Sequence, residues 1–347
     1  MNLTSYKSKI LNKNFTKTII ILEIAQSHDG SLGQAISYIE LAHKLGADGV
    51  KFQLHIADEE STIDEQFRVK FSHQDKSRFD YWKRMEFSLP QWKILRAKAH
   101  SLNLLFVISV FSKKAAVIAN SLKVDVIKLG SGEFDSYEIL EEVSKTKRPI
   151  MVSTGMSNDK EISNVIKLFK RKNLFTLMHC TSIYPTPLNK IGLNNIDELR
   201  RKYNCNIGYS DHSGNIYAPI ISITKKIKVL EIHVTFHKDF FGPDVSSSLD
   251  PQEIKTLIEF NNAFYEIEKN PTSKNKLSKT LKSTREKFSK SLSLSKDLSK
   301  DTLITREHLC LKKPGTGIKP NEIKKYIGKK LKKNVTSNRL LKKNDFY

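Results

Sequence analysis

Short apolar, β-branched runs recur along this chain, with amphipathic stretches between them. "TIIILEIA" (18–25) is followed by apolar positions at helical spacing from Leu32 to Leu45, then by "DGVKFQLH" (48–55). After a longer insertion come a helical pattern over Leu89–Leu102 and the run "LLFVISVF" (104–111). Helical patterns near Lys113–Leu122, Tyr137–Thr146 and Lys160–Lys172 precede "VDVIKLG" (124–130), "PIMVSTG" (149–155) and "LFTLMHCT" (174–181). "CNIGYSD" (205–211) and "KVLEIHVT" (228–235) complete eight strands, and a last helix runs roughly from Pro251 to Glu268. Alternation of this kind means parallel strands, and eight repeats over about 250 residues fit a closed barrel. An open doubly wound sheet is the competitor, but no G-x-G-x-x-G follows the first strand. The expected fold class is α/β, a (β/α)8 TIM barrel followed by a small C-terminal domain.

Composition changes that picture at one end. From Asn270 the text becomes "NPTSKNKLSKTLKSTREKFSKS", polar and lysine-rich. The expected division is a catalytic barrel over 1–270, a linker over 271–285 and a small domain over 286–347 with a modest core of its own. The formal net charge of +22 is uneven: residues 271–347 hold 22 Lys/Arg against 6 Asp/Glu. A solvated lysine-biased surface explains this, and a field that draws anionic substrates is the sharper reading. With no RNP-type aromatic motif or zinc finger, no nucleic-acid partner is expected. No apolar run reaches the length of a membrane span, and no secretory signal opens the chain. Cys180, Cys205 and Cys310 lack metal-type spacing, which points to reduced thiols in a cytoplasm.

Barrel strands are covered on both faces, so polar residues within them carry information. Glu23 interrupts the first strand, and Lys51 and Gln53 share a face of the second. Lys128, Ser153 and Ser210 end later strands, and Glu231 and His233 share a face of the last. All lie toward C-terminal strand ends, where barrel enzymes assemble their sites. The cations suggest an anionic ligand. "KLGSGE" (128–133) flanks Ser131 with glycines, and "STGMS" (153–157) precedes a helix start near Asn158 whose free N–H groups would favour phosphate. His212 and His233, on adjacent strands at similar heights, offer two imidazoles to a divalent metal with open positions. Asp211 and Glu231 are the candidates to orient them. His55, His73, His100, His237 and His308 are read as ordinary hydrogen-bonded core or surface residues.

These segments together resemble the sialic acid synthase family, that is, N-acetylneuraminate synthase and its legionaminate and pseudaminate relatives. The matching text is "EIAQSHDGS" (23–31), "GADGVKFQLH" (46–55), "VIKLGSGEF" (126–134), "RPIMVSTGMS" (148–157), "LMHCTSIYPTP" (177–187), "IGYSDHSG" (207–214), "EIHVTF" (231–236), "GPDVSSSL" (242–249) and "KKPGTGI" (312–318). The resemblance implies an enzyme, a transferase, that condenses phosphoenolpyruvate with an open-chain N-acylated amino sugar such as N-acetylmannosamine or a 2,4-diacetamido-trideoxyhexose. The products are a nine-carbon 2-keto acid and phosphate. It implies a divalent cation on His212 and His233, usually manganese, with magnesium or cobalt as alternatives. It implies a C-terminal antifreeze-like (SAF) domain that covers the partner's site in a domain-swapped homodimer. By matched position, Lys51, Lys128, Ser153, Ser182 and Ser210 contact phosphoenolpyruvate, with Gln53, Ser109 and Ser131 nearby. Glu23, Tyr184 and Asp244 face the sugar, and Glu133 and Glu23 are rivals for proton transfer.

Two departures stand out. The family's sugar-contacting asparagine has no counterpart in "FSHQDKSRFDYWKRMEF" (71–87), and Lys313 stands where the arginine that reaches the N-acyl group is expected. Lysine lacks the planar fork of arginine. A lysine Schiff-base aldolase using Lys128 is the rival within catalysis, and a polyanion-binding protein is the rival outside it.

Overall fold

A computed structural model of the chain describes residues 1–12, 14, 16–169 and 174–347. It divides into two compact units, Met1–Lys269 and Asn270–Tyr347. In the first, eight parallel strands close into a barrel in sequence order. They are β1 (Ile19–Ala25), β2 (Gly49–Leu54), β3 (Leu105–Val110), β4 (Val126–Leu129), β5 (Ile150–Ser153), β6 (Phe175–His179), β7 (Asn206–Asp211) and β8 (Val229–His233). Each expected strand is present, shortened by a residue or two at its ends.

The helices include α1 (Leu3–Leu11), α2 (Leu32–Leu45), α3 (Ala57–Glu60), α4 (Arg78–Met85), α5 (Leu89–Ser101), α6 (Lys113–Ser121), α7 (Tyr137–Lys145), α8 (Asp159–Leu168), α9 (Asn194–Lys202), α10 (Tyr217–Thr224) and α11 (Pro251–Lys269). Of the helix expected over Lys160–Lys172, residues 170–172 lie outside the described residues. Helix α1 falls in a stretch read as having no element. Its buried Tyr6 and Ile10 pack on Ile19, Ile21, Leu105, Val107, Val126, Met151, Met178 and Val229. Apart from Met178, which is level with Ser153, those residues belong to the N-terminal halves of the strands and point inward, so α1 plugs that end with apolar side chains. The outward residues of the same strands, such as Ile20, Leu22, Phe52 and Phe106, pack under the surrounding helices.

The insertion between β2 and α5 folds over the opposite end. It has a small core of Ala57, Tyr81, Trp82 and Met85 with Phe67, Phe71 and Phe79. Ser77 and Asp80 form a reciprocal cap at the start of α4. Arg84 ties the insertion to the β1–α2 loop, donating to Asp29 Oδ1 (2.6 Å) and to Asp75 Oδ2 (2.7 Å). Gly30 is required at that junction. Its φ is +76°, and a Cβ there would stand 2.4 Å from the Arg84 carbonyl oxygen.

The second unit carries two short helices, α12 (Lys274–Thr280) and α13 (Lys282–Phe288), where the lysine-rich text suggested a linker. An antiparallel pair follows, β9 (Ser291–Leu294) with β10 (Leu309–Lys312). Leu292, Leu294, Ile304, Leu309, Leu331, Val335, Leu341 and Phe346 belong to its own core.

Candidate active site

The site stands on the C-terminal ends of the strands, and register decides which side chains meet. Glu23 is level with Lys51 on one side and with His233 on the other. Gln53 is level with Ser109, Ser109 with Lys128, and Ser210 with Glu231. The two-residue alternation of a strand turns all of these inward, and all but the fully buried Glu23 line a cavity of about 640 Å³.

Two lysines and two glutamates form its floor. Lys51 Nζ lies 2.5 Å from Glu23 Oε2 and 3.1 Å from Glu231 Oε1, and Lys128 Nζ lies 3.3 Å from the same Glu231 oxygen. None of these side chains is more than 5% exposed, so each charge depends on its partners. Lys51 also donates to Ser109 Oγ (3.0 Å), and Ser210 Oγ donates to Glu231 Oε1 (2.9 Å). Burial pushes the Lys51 ammonium down to about 7; Glu231 opposes that push and the like charge of Lys128 adds to it. Burial would raise the Glu231 carboxyl, but Lys128 and Lys51 together hold it well below the usual carboxylate range. Glu231 Oε2 and Ser153 Oγ are buried without hydrogen-bond partners and belong to residues lining the cavity. Both are therefore available to a ligand.

Beside this floor lies a wall of small polar groups. Gly155 N–H donates to Ser131 Oγ (2.9 Å), which also touches Cys180 Sγ at 3.2 Å. A Cβ on Gly155 would come within 2.3 Å of Ser182 Oγ and 2.6 Å of Cys180 Sγ, so glycine alone lets this loop meet the hydroxyls. The start of α8 behaves differently from expectation. Asn158 accepts from the N–H groups of Lys160 and Glu161, and Glu161 accepts from Asn158 N–H. This capping box occupies the N–H groups of Asn158, Lys160 and Glu161, donors that were expected to be free for phosphate.

The two histidine rings stand 5.3 Å apart, centre to centre, at 70°. His212 Nδ1 faces the Thr181 carbonyl oxygen at 3.0 Å. A carbonyl only accepts, so Nδ1 carries the proton and Nε2 the lone pair. The Tyr184 hydroxyl meets that Nε2 at 3.0 Å. Asp244 Oδ2 is 3.7 Å from His233 Nδ1. Burial drives both imidazoles down to about 3, with His233 adding to the effect on His212 and Lys51 to that on His233. Both rings are thus neutral donors, the form that binds a metal. Among the described residues no group of three or more His, Cys, Asp and Glu could hold an ion by itself. Two imidazoles with open positions suit an exchangeable catalytic cation rather than a closed structural one.

The expectation for the orienting carboxylates is corrected. Glu231 serves the lysines. Asp211 accepts from Tyr209 OH (2.7 Å), Ser213 Oγ (2.9 Å) and Ser213 N–H (3.1 Å), one residue out of phase with the inward face. Burial raises its carboxyl to about 6, against the pull of those three donors. Glu133 lines the cavity from the turn after β4; burial raises its carboxyl, opposed by a bond from Ser136 and helped by the nearby Glu60. Gln53 donates to Glu23 Oε1 at 3.1 Å. Lys313 belongs to the second unit, where its ammonium lies 5.3 Å from the centre of the Phe288 ring.

Several cavity residues escaped the sequence reading. Arg68, from the insertion, donates to Asp244 Oδ1 (2.7 Å) and to the Pro243 carbonyl (3.2 Å), and its guanidinium covers the Tyr184 ring at 4.3 Å. It touches the two residues that in turn touch His212 and His233. Nothing local marks it. His55 was read as an ordinary histidine, yet it is buried and lines the cavity. Its signal was available, because Lys51, Gln53 and His55 are successive residues at spacing two.

The NeuB family profile matches residues 38–273. The chain belongs to the NeuB family. It is 31% identical to an N,N'-diacetyllegionaminic acid synthase from Campylobacter jejuni, over 94% of this chain and 99% of that one. It is 30% identical to a human N-acetylneuraminate-9-phosphate synthase, over 90% and 88%. The structure resembles that of N-acetylneuraminic acid synthetase from Leptospira borgpetersenii in complex with citrate, with a TM-score of 0.68 at 26% identity over 78% of this chain and 94% of that one. In this NeuB-family barrel, the long shared span covers both the lysine floor and the paired histidines.

Proposed function

We infer that the chain is a nonulosonate synthase, joining phosphoenolpyruvate to an N-acylated amino sugar to give a nine-carbon 2-keto acid and phosphate. Family membership supports the reaction class. The observation that carries the site assignment is the buried lysine pair among serine hydroxyls, beside two neutral imidazoles, in one cavity.

Phosphoenolpyruvate is a compact anion. Lys51 and Lys128 bind its charged groups through charge-assisted bonds, with Ser109, Ser131, Ser153, Ser182 and Ser210 donating hydroxyls. An arriving anion offsets the burial that pushes Lys51 down, so binding fixes its ammonium charged. Glu23, Gln53, Tyr184 and Asp244 face the sugar and hold its chain so that the aldehyde carbon meets C3 of the enol. A carbon–carbon bond forms there, the aldehyde oxygen gains a proton, and water adds at C2 before the C–O bond to phosphate breaks. Of the two rival carboxylates we assign proton movement to Glu133, whose raised carboxyl suits it to hold and release a proton. Glu23, ion-paired with Lys51 and bonded to Gln53, orients the sugar. His212 and His233 would hold a divalent cation, manganese by family habit, which when bound supplies a Lewis acid for the aldehyde oxygen. The second unit is read as an antifreeze-like (SAF) domain in a swapped homodimer.

The test is a panel of N-acetylmannosamine, 2,4-diacetamido-trideoxyhexoses and mannose, each incubated with phosphoenolpyruvate and manganese, with phosphate release measured. Release with an N-acylated sugar and not with mannose is expected. No release with any sugar under manganese, magnesium or cobalt would remove the assignment. A Schiff-base aldolase gains one observation, the depressed Lys51 amine. Borohydride trapping with pyruvate, against inactivation by a chelator, separates the two.

A further inference from the structure

His55 is clamped flat between two aromatic rings, Trp82 at 4.1 Å and 24° and Phe111 at 4.8 Å and 5°. Both of its nitrogens are engaged. Nδ1 lies 2.5 Å from Glu60 Oε1, and Nε2 lies 3.1 Å from Gln53 Oε1. Gln53 is the residue whose Nε2 donates to Glu23.

The hydrogen bonds fix one another. Glu23, in its ion pair with Lys51, can only accept, so the amide nitrogen of Gln53 must face it. The amide oxygen then faces the His55 ring. Gln26 Nε2 also donates to that oxygen and stands 3.3 Å from the same ring nitrogen. On the far side, His55 Nδ1 donates to Glu60 Oε1, since a carboxylate only accepts. A flipped Gln53 would set its oxygen against the Glu23 carboxylate and its N–H2 against that of Gln26. The sandwich removes the ring's rotational freedom, so the bonds cannot relax.

We propose that His55 and Glu60 form a positioning pair that sets the Gln53 amide at the sugar end of the cavity and, through it, orients Glu23. This rests on the synthase reading for its kinetic consequence, but its geometric content is independent of it.

Two variants and one spectrum test the pair. Glu60→Gln weakens the hold on Nδ1. The double substitution His55→Phe with Glu60→Leu keeps the aromatic stack and removes both polar partners together, so no buried carboxylate is left alone. Each is expected to raise the sugar KM about tenfold, the scale of one buried hydrogen bond, with the phosphoenolpyruvate KM within about twofold. Combined with Gln53→Leu, the double substitution should add almost nothing, because Gln53 is its route. Unchanged sugar KM, an equal rise in both KM values, or full additivity with Gln53→Leu overturns the proposal. Ring-nitrogen NMR of the full chain at neutral pH gives the second reading. His55 Nδ1, which faces the Glu60 carboxylate, should be of the protonated type, and a bare Nδ1 would refute the pair whatever the substrate. A wild-type protein that turns over no sugar condemns the synthase reading alone, and the spectrum still decides the pair.

Discussion

The two ends of this barrel share eight strands and one inward face, yet they are opposite in character. Ile19, Ile21 and Glu23 follow one another inward along β1; Leu105, Val107 and Ser109 do so along β3. On β4, β5 and β8 the inward steps go from Val126 to Lys128, Met151 to Ser153, and Val229 to Glu231 and then His233. A single step of two residues changes a dry plug into a charged cavity. Neither end is exceptional in burial, since Lys51, Lys128, Glu23 and Glu231 are about as hidden as the leucines beneath them. The difference lies in partners. Each charge at the mouth faces an opposite one, whereas the plug is apolar but for the buried hydroxyls of Tyr6 and Thr176 and holds no charge. The mouth thereby holds charge ready for a ligand without the full cost of an isolated buried ion.

Breaking that contrast should have the largest effect at the plug. Val107→Glu puts a carboxylate one step below Ser109 and among apolar groups. A loss of roughly 3–5 kcal/mol is expected, seen as a collapse of the denaturation midpoint. At the mouth, His212→Ala or His233→Ala should leave that midpoint nearly unchanged and lower phosphate release by a factor on the order of 10² or more. Full turnover of either variant in the presence of a chelator would contradict the cation-holding role.

Smaller effects are expected at Arg68, which lines the cavity, and at Lys313, in the second unit. Arg68→Ala removes the guanidinium from Tyr184 and Asp244, and Lys313→Ala tests the position where the family expects arginine. Each should raise the sugar KM several-fold, around the 1 kcal/mol of an ordinary hydrogen bond, and leave the phosphoenolpyruvate KM close to its starting value. Steady-state kinetics with each substrate varied in turn reads this directly.

The smallest effect concerns a buried charge away from the barrel. Asp345 accepts from Arg339 at 2.8 and 2.9 Å and from Lys342 N–H at 2.7 Å, with Lys333 at 3.2 Å. Burial would raise its carboxyl, but these donors hold it down at about 2. A depressed carboxyl stabilises the fold above the ordinary aspartate range and loses that contribution as pH falls through about 2. The second unit should therefore weaken progressively below about pH 4, and Asp345→Asn should flatten that dependence in acid titrations followed by circular dichroism.

Much of this was legible in advance because it is local. Period-two and helical patterns gave the eight strands and six of the thirteen α-helices among the described residues, and strand-end polarity marked Lys51, Lys128, Glu231 and His233. The spacing from Gln53 would have added His55. What escaped depends on chain segments far apart. Lys128 meets Glu231 across 103 residues, and Arg68 meets Asp244 across 176. The capping box at Asn158 was readable from Glu161 three residues on, but whether those donors remained free depended on the side chains actually closing it.

The sequence by itself determined which residues face inward and that charge gathers at one end of the strands, because side-chain direction follows from backbone geometry alone. Only the tertiary structure decided that Glu231 serves the lysines and that Arg68 reaches the cavity. Inter-strand register and the path of a long insertion are set by packing across the whole barrel, and no local pattern encodes them.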